Sequence, residues 1–171
     1  MLIILVTAVV AIAMLVEAQV SRTHERALRA AGAVEPPGDV YAVMQVAYPG
    51  CFILMAVEAA WRGGPSELFM PGVVVFAIAK TLKWWAIASL GTRWTFRVLV
   101  PSTDAPLVQR GPYRWMRHPN YLAVVGELVG AAMMLRAPWS GILACAAFGA
   151  LMWRRIQVEE RALGLGGARH S

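Results

Sequence analysis

The feature that most constrains this chain is a succession of long apolar blocks, each closed by proline-rich or arginine-rich punctuation. Residues 1 to 16 carry no charge, and Glu17 ends the run. Further apolar blocks cover about 41 to 61, 68 to 90, 118 to 135 and 138 to 153. With 58% of its 171 residues hydrophobic, the chain holds more apolar surface than one soluble core of this size takes. Blocks of this length instead approach a hydrocarbon layer ~30 Å thick at a helical rise of ~1.5 Å per residue. The fold class is therefore all-α: a polytopic membrane protein of about five transmembrane helices, the last two forming a C-terminal helical hairpin.

Charge orients the spans. The net charge is +6, and all but two of the sixteen basic residues are arginine, most of them between apolar blocks. That placement excludes nucleic acid as the expected partner and suits loops beside anionic membrane lipid. Twelve arginines fall after spans one and three and in the C-terminal tail, against Arg62 and Arg136 on the other side. The positive-inside rule puts the N-terminus outside and the C-terminus in the cytoplasm. It also brings the segment before His118 and the segment after Trp153 to the same face.

Local punctuation refines this picture. The first run reads as a retained membrane helix, because no Lys or Arg precedes it as a cleaved signal would require. That helix should continue past Arg29 to a C-cap at Gly32, before Pro36-Pro37-Gly38 breaks the chain. Glu58 lies near the far end of the second block, where it reaches water. Lys80 and Lys83 fall inside the third block. Intramembrane charges point to function by default, but beside Trp84 and Trp85 the favoured reading is that both snorkel to an interface. The connection from 91 to 117 is interrupted by Pro101, Pro106 and Pro112. Its Trp94, Phe96, Val98, Leu99 and Val100 make it amphipathic enough to lie on the membrane surface. Cys51 and Cys145 are isolated packing residues, and with His24, His118 and His170 scattered no metal site is expected. The glycine run at 164–167 lacks the strand of a nucleotide-binding loop and reads as a tail.

Two polar clusters carry the chemistry. Residues 110 to 121 read Arg-Gly-Pro-Tyr-Arg-Trp-Met-Arg-His-Pro-Asn-Tyr. Pro119 suits the first turn of a helix, since its missing N–H would be unpaired there. His118 and Tyr121 then share a face, and Arg114, Arg117 and the free amides of the helix start make an electropositive mouth. The second cluster closes the last apolar block: Arg154, Arg155, Glu159, Glu160 and Arg161. Arg155 and Glu159 are four apart and can pair on one face, while the glutamates suit a cationic or amine-bearing ligand. Glu127, inside span four, either hydrogen-bonds within the bundle or lines an acceptor pocket.

Gly111 to Tyr121, an apolar hairpin and then Glu159-Glu160 together strongly resemble the isoprenylcysteine carboxyl methyltransferase family of integral membrane enzymes. The resemblance is firm over residues 91 to 163. Gly32-Ala33-Val34-Glu35 and the stretch from Leu90 to Val98 look like a bacterial branch found beside type III polyketide synthases. The resemblance implies S-adenosylmethionine as methyl donor, in a cytoplasmic pocket formed by Arg117, His118, Pro119, Tyr121, Glu159 and Glu160, with Tyr113 beside them. It implies O-methylation of an alkylpyrone or phenolic lipid. A prenylated cysteine carboxylate or a phospholipid amine is the alternative acceptor, and a small membrane scaffold or lipid carrier the non-enzymatic alternative. On this reading Arg155 or Arg154 steers the acceptor oxygen, Glu127 is a further catalytic candidate, and the protein resides in a bacterial plasma membrane. Residues 1–90, three N-terminal transmembrane helices, and 91–171, an amphipathic connector, the helical hairpin and a C-terminal cofactor-binding segment, are expected to form one integrated membrane domain.

Overall fold

A computed structural model describes residues 1–63, 66–100 and 108–162. Pro101, Pro106, the glycine run at 164–167, Arg169 and His170 lie outside those residues. Five α-helices follow in order: α1 (Leu2–Ala30), α2 (Tyr41–Arg62), α3 (Phe69–Leu90), α4 (Pro119–Met134) and α5 (Pro138–Ala162). Short 3-10 turns occupy Gly91–Arg93 and Gly111–Arg114, and an isolated antiparallel bridge joins Val34 to Val100. Gly32 closes α1 at a φ of 85° while the Ala33 amide donates to the Leu28 carbonyl at 2.9 Å. That left-handed exit favours glycine.

The all-helical, membrane-integral architecture matches the sequence, but five spans do not. Among the described residues, only α1, α2 and α3 are long and apolar enough to cross a membrane. Helix α4 has 16 residues, about 24 Å at the α-helical rise. Helix α5 has 25, but its apolar stretch stops at Trp153, ahead of two arginines. Both spend much of their surface on protein: Ala123, Leu128, Ala131 and Ala144 are all but inaccessible.

The most extensive helix pairing is α3 against α4, and small residues make it possible. A Cβ on Gly130 would stand 2.7 Å from the Phe76 amide nitrogen, and one on Gly72 would stand 2.8 Å from the Gly130 carbonyl. A Cβ on Gly126 would meet that of Ala79 at 2.8 Å. Close backbone approach through small residues is how helices gain packing energy in lipid. Gly130→Ala should therefore destabilise the fold by about 1–3 kcal/mol, read as a lowered denaturation midpoint in mixed micelles. Glu58 joins α2 to α5: its Oε2 accepts the Ser140 amide at 2.7 Å and the Ser140 hydroxyl at 2.6 Å, capping the start of α5. It thus serves as a cap, not as a group reaching for water.

A buried ionic ring ties four helices together. Glu17 of α1 takes Lys80 Nζ on Oε1 at 2.6 Å and Lys83 Nζ on Oε2 at 3.0 Å. On α4, Glu127 Oε1 lies 3.2 Å from Lys80 and 3.0 Å from Lys83. Its Oε2 accepts Lys83 at 3.0 Å and, in a short bond, the Tyr48 hydroxyl of α2. The expectation that Lys80 and Lys83 snorkel is overturned. Lys83 is 2% exposed, because two carboxylates on the facing helices offer it more than an interface would. Of the two readings open for Glu127, hydrogen bonding within the bundle is the one observed.

Candidate active site

The segment ahead of α4 is built to hold a fixed shape. Gly111 adopts a φ of 58°, and a Cβ there would run into the Ser89 side chain of α3. The neighbouring Arg110 Nε donates to the Ser89 carbonyl at 2.8 Å. Pro112 and Pro119 are buried, and Pro119 opens α4 with His118 at its N-cap, as read from the sequence. One turn on, Tyr121 stacks obliquely beside His118 with ring centroids 5.4 Å apart.

Opposite this face stands the end of α5, and the two predicted clusters meet there. The Tyr121 hydroxyl donates to Glu159 Oε1 at 2.8 Å, and Arg155 Nε donates to the same oxygen at 3.3 Å. His118 Nδ1 lies 3.5 Å from Glu159 Oε2, and His118 Nε2 lies 3.7 Å from Glu160 Oε1. Arg117 approaches Glu160 at 3.8 Å. Although it is buried, His118 Nε2 has no hydrogen-bond partner among the described residues. A buried polar atom left this way points to a missing partner. Tyr113 stands nearby, and burial, then the Glu159 carboxylate, push its hydroxyl well above the ordinary tyrosine range.

Several of these residues line a cavity of about 1140 Å³. Of the predicted site residues, Tyr113, Arg117, His118, Tyr121, Arg155 and Glu159 border it. Pro119 is packed behind it, and Arg154 is exposed on the outer side of α5. Glu127 is 1% exposed and sits in the ionic ring, outside the lining. The described part of the connection after α3 lines the cavity, with two of its apolar residues turned inward. Trp94 and Val98 are buried, the Phe96 amide donates to Ser21 Oγ at 2.8 Å, and the Trp94 carbonyl meets His24 Nδ1 at 2.8 Å.

Sequence reasoning missed several residues of this site. Asp39 Oδ1 accepts the Tyr41 amide at 3.1 Å, its Oδ2 accepts the Val98 amide at 2.9 Å, and Arg155 lies 3.7 Å away. Asp39 thus anchors the site's central arginine to the link between α1 and α2. Glu35 clamps the same link through Arg29 at 2.6 Å and Arg97 at 2.8 Å. Burial alone would raise its carboxyl, but hydrogen bonds from the two arginines outweigh it and hold the group below the ordinary range. Glu17, Lys83 and Tyr48 reach the cavity from its other end. A lone glutamate ending an apolar run was the available signal for Glu17.

With the geometry in place, comparison with known proteins decides the family. The model of the isoprenylcysteine carboxyl methyltransferase family matches residues 72–164, more than half of the chain. The chain belongs to that family. The match takes in most of α3 and all of α4 and α5, and leaves out α1 and α2. Over a longer stretch of 149 residues, the chain is 29% identical to the uncharacterized protein YpbQ of Bacillus subtilis, covering 86% of this chain and 88% of that one. An uncharacterized protein of Haemophilus influenzae is 24% identical over 149 residues, 84% of each chain. A probable protein-S-isoprenylcysteine O-methyltransferase of Oryza sativa subsp. indica is 32% identical over 94 residues, covering 52% of this chain and 47% of the rice protein. No solved structure matches the chain significantly.

Proposed function

We propose that this family member transfers a methyl group from S-adenosylmethionine to an oxygen nucleophile on a lipophilic acceptor, at the cytoplasmic face of the membrane. The observation that carries the reading is His118 Nε2, buried without a hydrogen bond beside Glu159 and Glu160, where His118, Tyr121 and Glu159 line one cavity. A polar, amine-bearing ligand fits such a donor set, with His118 and Tyr121 as hydrogen-bonding groups and Glu159 and Glu160 facing its positive charge. When bound, the donor supplies an electrophilic methyl whose bond to sulfur breaks as the acceptor oxygen takes it, leaving a neutral thioether. The chain's own part is to align the reactants and keep water out, which in favourable cases is worth several kcal/mol.

Room and charge both support a two-substrate site. Single small-molecule pockets run to roughly 300–1,000 Å³, and this cavity exceeds that range at about 1140 Å³. Its arginines gather at one end of the bundle, which the positive-inside rule assigns to the cytoplasm, where the donor arrives. The apolar walls from α1 and α2 suit the acceptor, for which an alkylpyrone or phenolic lipid is the favoured class. The printed name of the rice relative favours a prenylated cysteine carboxylate as the second reading.

Calorimetric titration of the purified protein in lipid nanodiscs with S-adenosylmethionine tests this. The wild type should bind saturably, and His118→Ala should bind about tenfold more weakly, the worth of roughly one hydrogen bond. Absence of binding by folded wild-type protein would overturn the reading in favour of a membrane scaffold or lipid carrier.

A further inference from the structure

The ionic ring does more than join helices, because one of its carboxylates faces the cavity. Glu17, Lys83 and Tyr48 line it, whereas Glu127 does not. The two glutamates also differ in how their hydrogen bonds are distributed. Glu127 accepts its hydrogen bonds from Lys83 and Tyr48 at Oε2, while both lysines lie at ion-pair distance from its Oε1. Glu17 makes one contact on each oxygen, at 2.6 and 3.0 Å. A carboxylate has about four lone-pair sites, so Glu17, with one hydrogen bond on each oxygen, keeps accepting capacity and is the carboxylate of the ring that borders the cavity. The groups facing it are Tyr48 from α2, Lys80 and Lys83 from α3 and Glu127 from α4. From α5 comes the apolar ring of Phe148, 5.1 Å from that of Tyr48.

We infer that Glu17 is the proton acceptor for the methyl-accepting group, and that this group is an ionisable hydroxyl, a phenol or enol, not a carboxylate. The inference rests on the methyltransferase reading above. The acceptor O–H bond breaks, its proton passes to a Glu17 carboxylate oxygen, and the electron pair stays on the acceptor oxygen. The ring's charge fits this step. Two lysines and two glutamates sum to zero, and after the transfer the same two ammonium groups face the acceptor oxyanion and Glu127. No net charge enters the low-dielectric interior, where an unbalanced one would be costly. A carboxylate acceptor has no proton to give and would bring an extra negative charge beside Glu17.

The position fits as well. Glu127 lies six residues beyond Tyr121 on α4, about 9 Å along the axis. The ring therefore stands deeper in the bundle than the Tyr121–Glu159 pair, at a separation a ligand held there can bridge. A route for the proton leads outward along α1. Ser21 and Glu25 follow Glu17 at four-residue intervals on one face, Ser21 Oγ donates to Glu25 at 2.6 Å, and Glu25 ends beside Arg97 at 3.7 Å.

The test uses the full chain in nanodiscs with a long-chain alkyl nitrophenol, whose visible absorbance reports its own ionisation without any donor present. Wild type should ionise the bound probe about tenfold more readily than empty nanodiscs do. The charge-balanced pair Glu17→Gln with Lys80→Met keeps Lys83 against Glu127 and guards against misfolding from an unpaired charge. It should lose that enhancement while calorimetry still shows S-adenosylmethionine binding. Enhancement retained in the double variant overturns the assignment of Glu17. Wild type that binds donor but methylates a fatty acid in preference to an alkylphenol of equal chain length overturns the acceptor class and leaves the methyltransferase reading standing. Wild type that binds no donor overturns that reading and this one with it.

Discussion

Lys83→Met is expected to destabilise the protein by about 3–5 kcal/mol, the usual cost of removing one partner from a buried ion pair. Lys83 is 2% exposed and bridges Glu17 and Glu127, which are each 1% exposed. Without it, Lys80 alone would face two buried carboxylates, and one uncompensated negative charge would remain among four helices. The same argument predicts a rescue. Lys83→Met combined with Glu127→Gln leaves Lys80 against Glu17 and removes the unbalanced charge, so most of the lost stability should return. Denaturant titration in mixed micelles, run as a double-mutant cycle, measures both arms. Equal destabilisation by the single and double variants would mean that charge balance does not govern the ring, and that Lys83 acts through packing alone.

The ring also shows where sequence reading runs out. Lys80 and Lys83 stand in a block next to two tryptophans, and that local pattern favours snorkelling. What decides otherwise is the arrival of Glu17, 63 positions before Lys80, and of Glu127, 44 positions after Lys83. No local pattern carries that information. The span count failed for a related reason. Apolar content alone does not separate a helix facing lipid from one facing protein, and α4 owes much of its apolar character to α3, through Gly126 and Gly130. By contrast, the His118 segment was legible because its constraints are local. Gly111 needs a positive φ, Pro119 belongs at a helix start, and His118 and Tyr121 share a face at a spacing of three. Its meeting with Glu159 followed from the arginine asymmetry, which needs no knowledge of packing. Asp39 was out of reach, since its partners Val98 and Arg155 come from two distant segments.

Glu159→Ala should weaken S-adenosylmethionine binding by about 100-fold, more than any other single change at the site. The reason is that Glu159 works twice. It faces the ligand side of the cavity, and it holds the surrounding groups in place: Tyr121 at 2.8 Å, Arg155 at 3.3 Å and His118 at 3.5 Å. Its loss leaves the Arg155 guanidinium, 5% exposed, with Asp39 at 3.7 Å as its remaining charged partner. Truncating one member of a buried charged pair costs about 2–5 kcal/mol, much of it from the partner left behind, and near 3 kcal/mol that is roughly 100-fold in affinity. Arg161→Ala on the exposed side of the same helix should stay within about threefold, because a solvent-facing charge is worth little. Isothermal titration of the two variants beside wild type, with unfolding midpoints recorded in parallel, separates ligand contact from support. If Glu159→Ala lowers the midpoint yet binds donor within threefold of wild type, Glu159 is structural and the amine-binding role passes to Glu160. Glu160 stands 3.7 Å from the unpartnered His118 nitrogen.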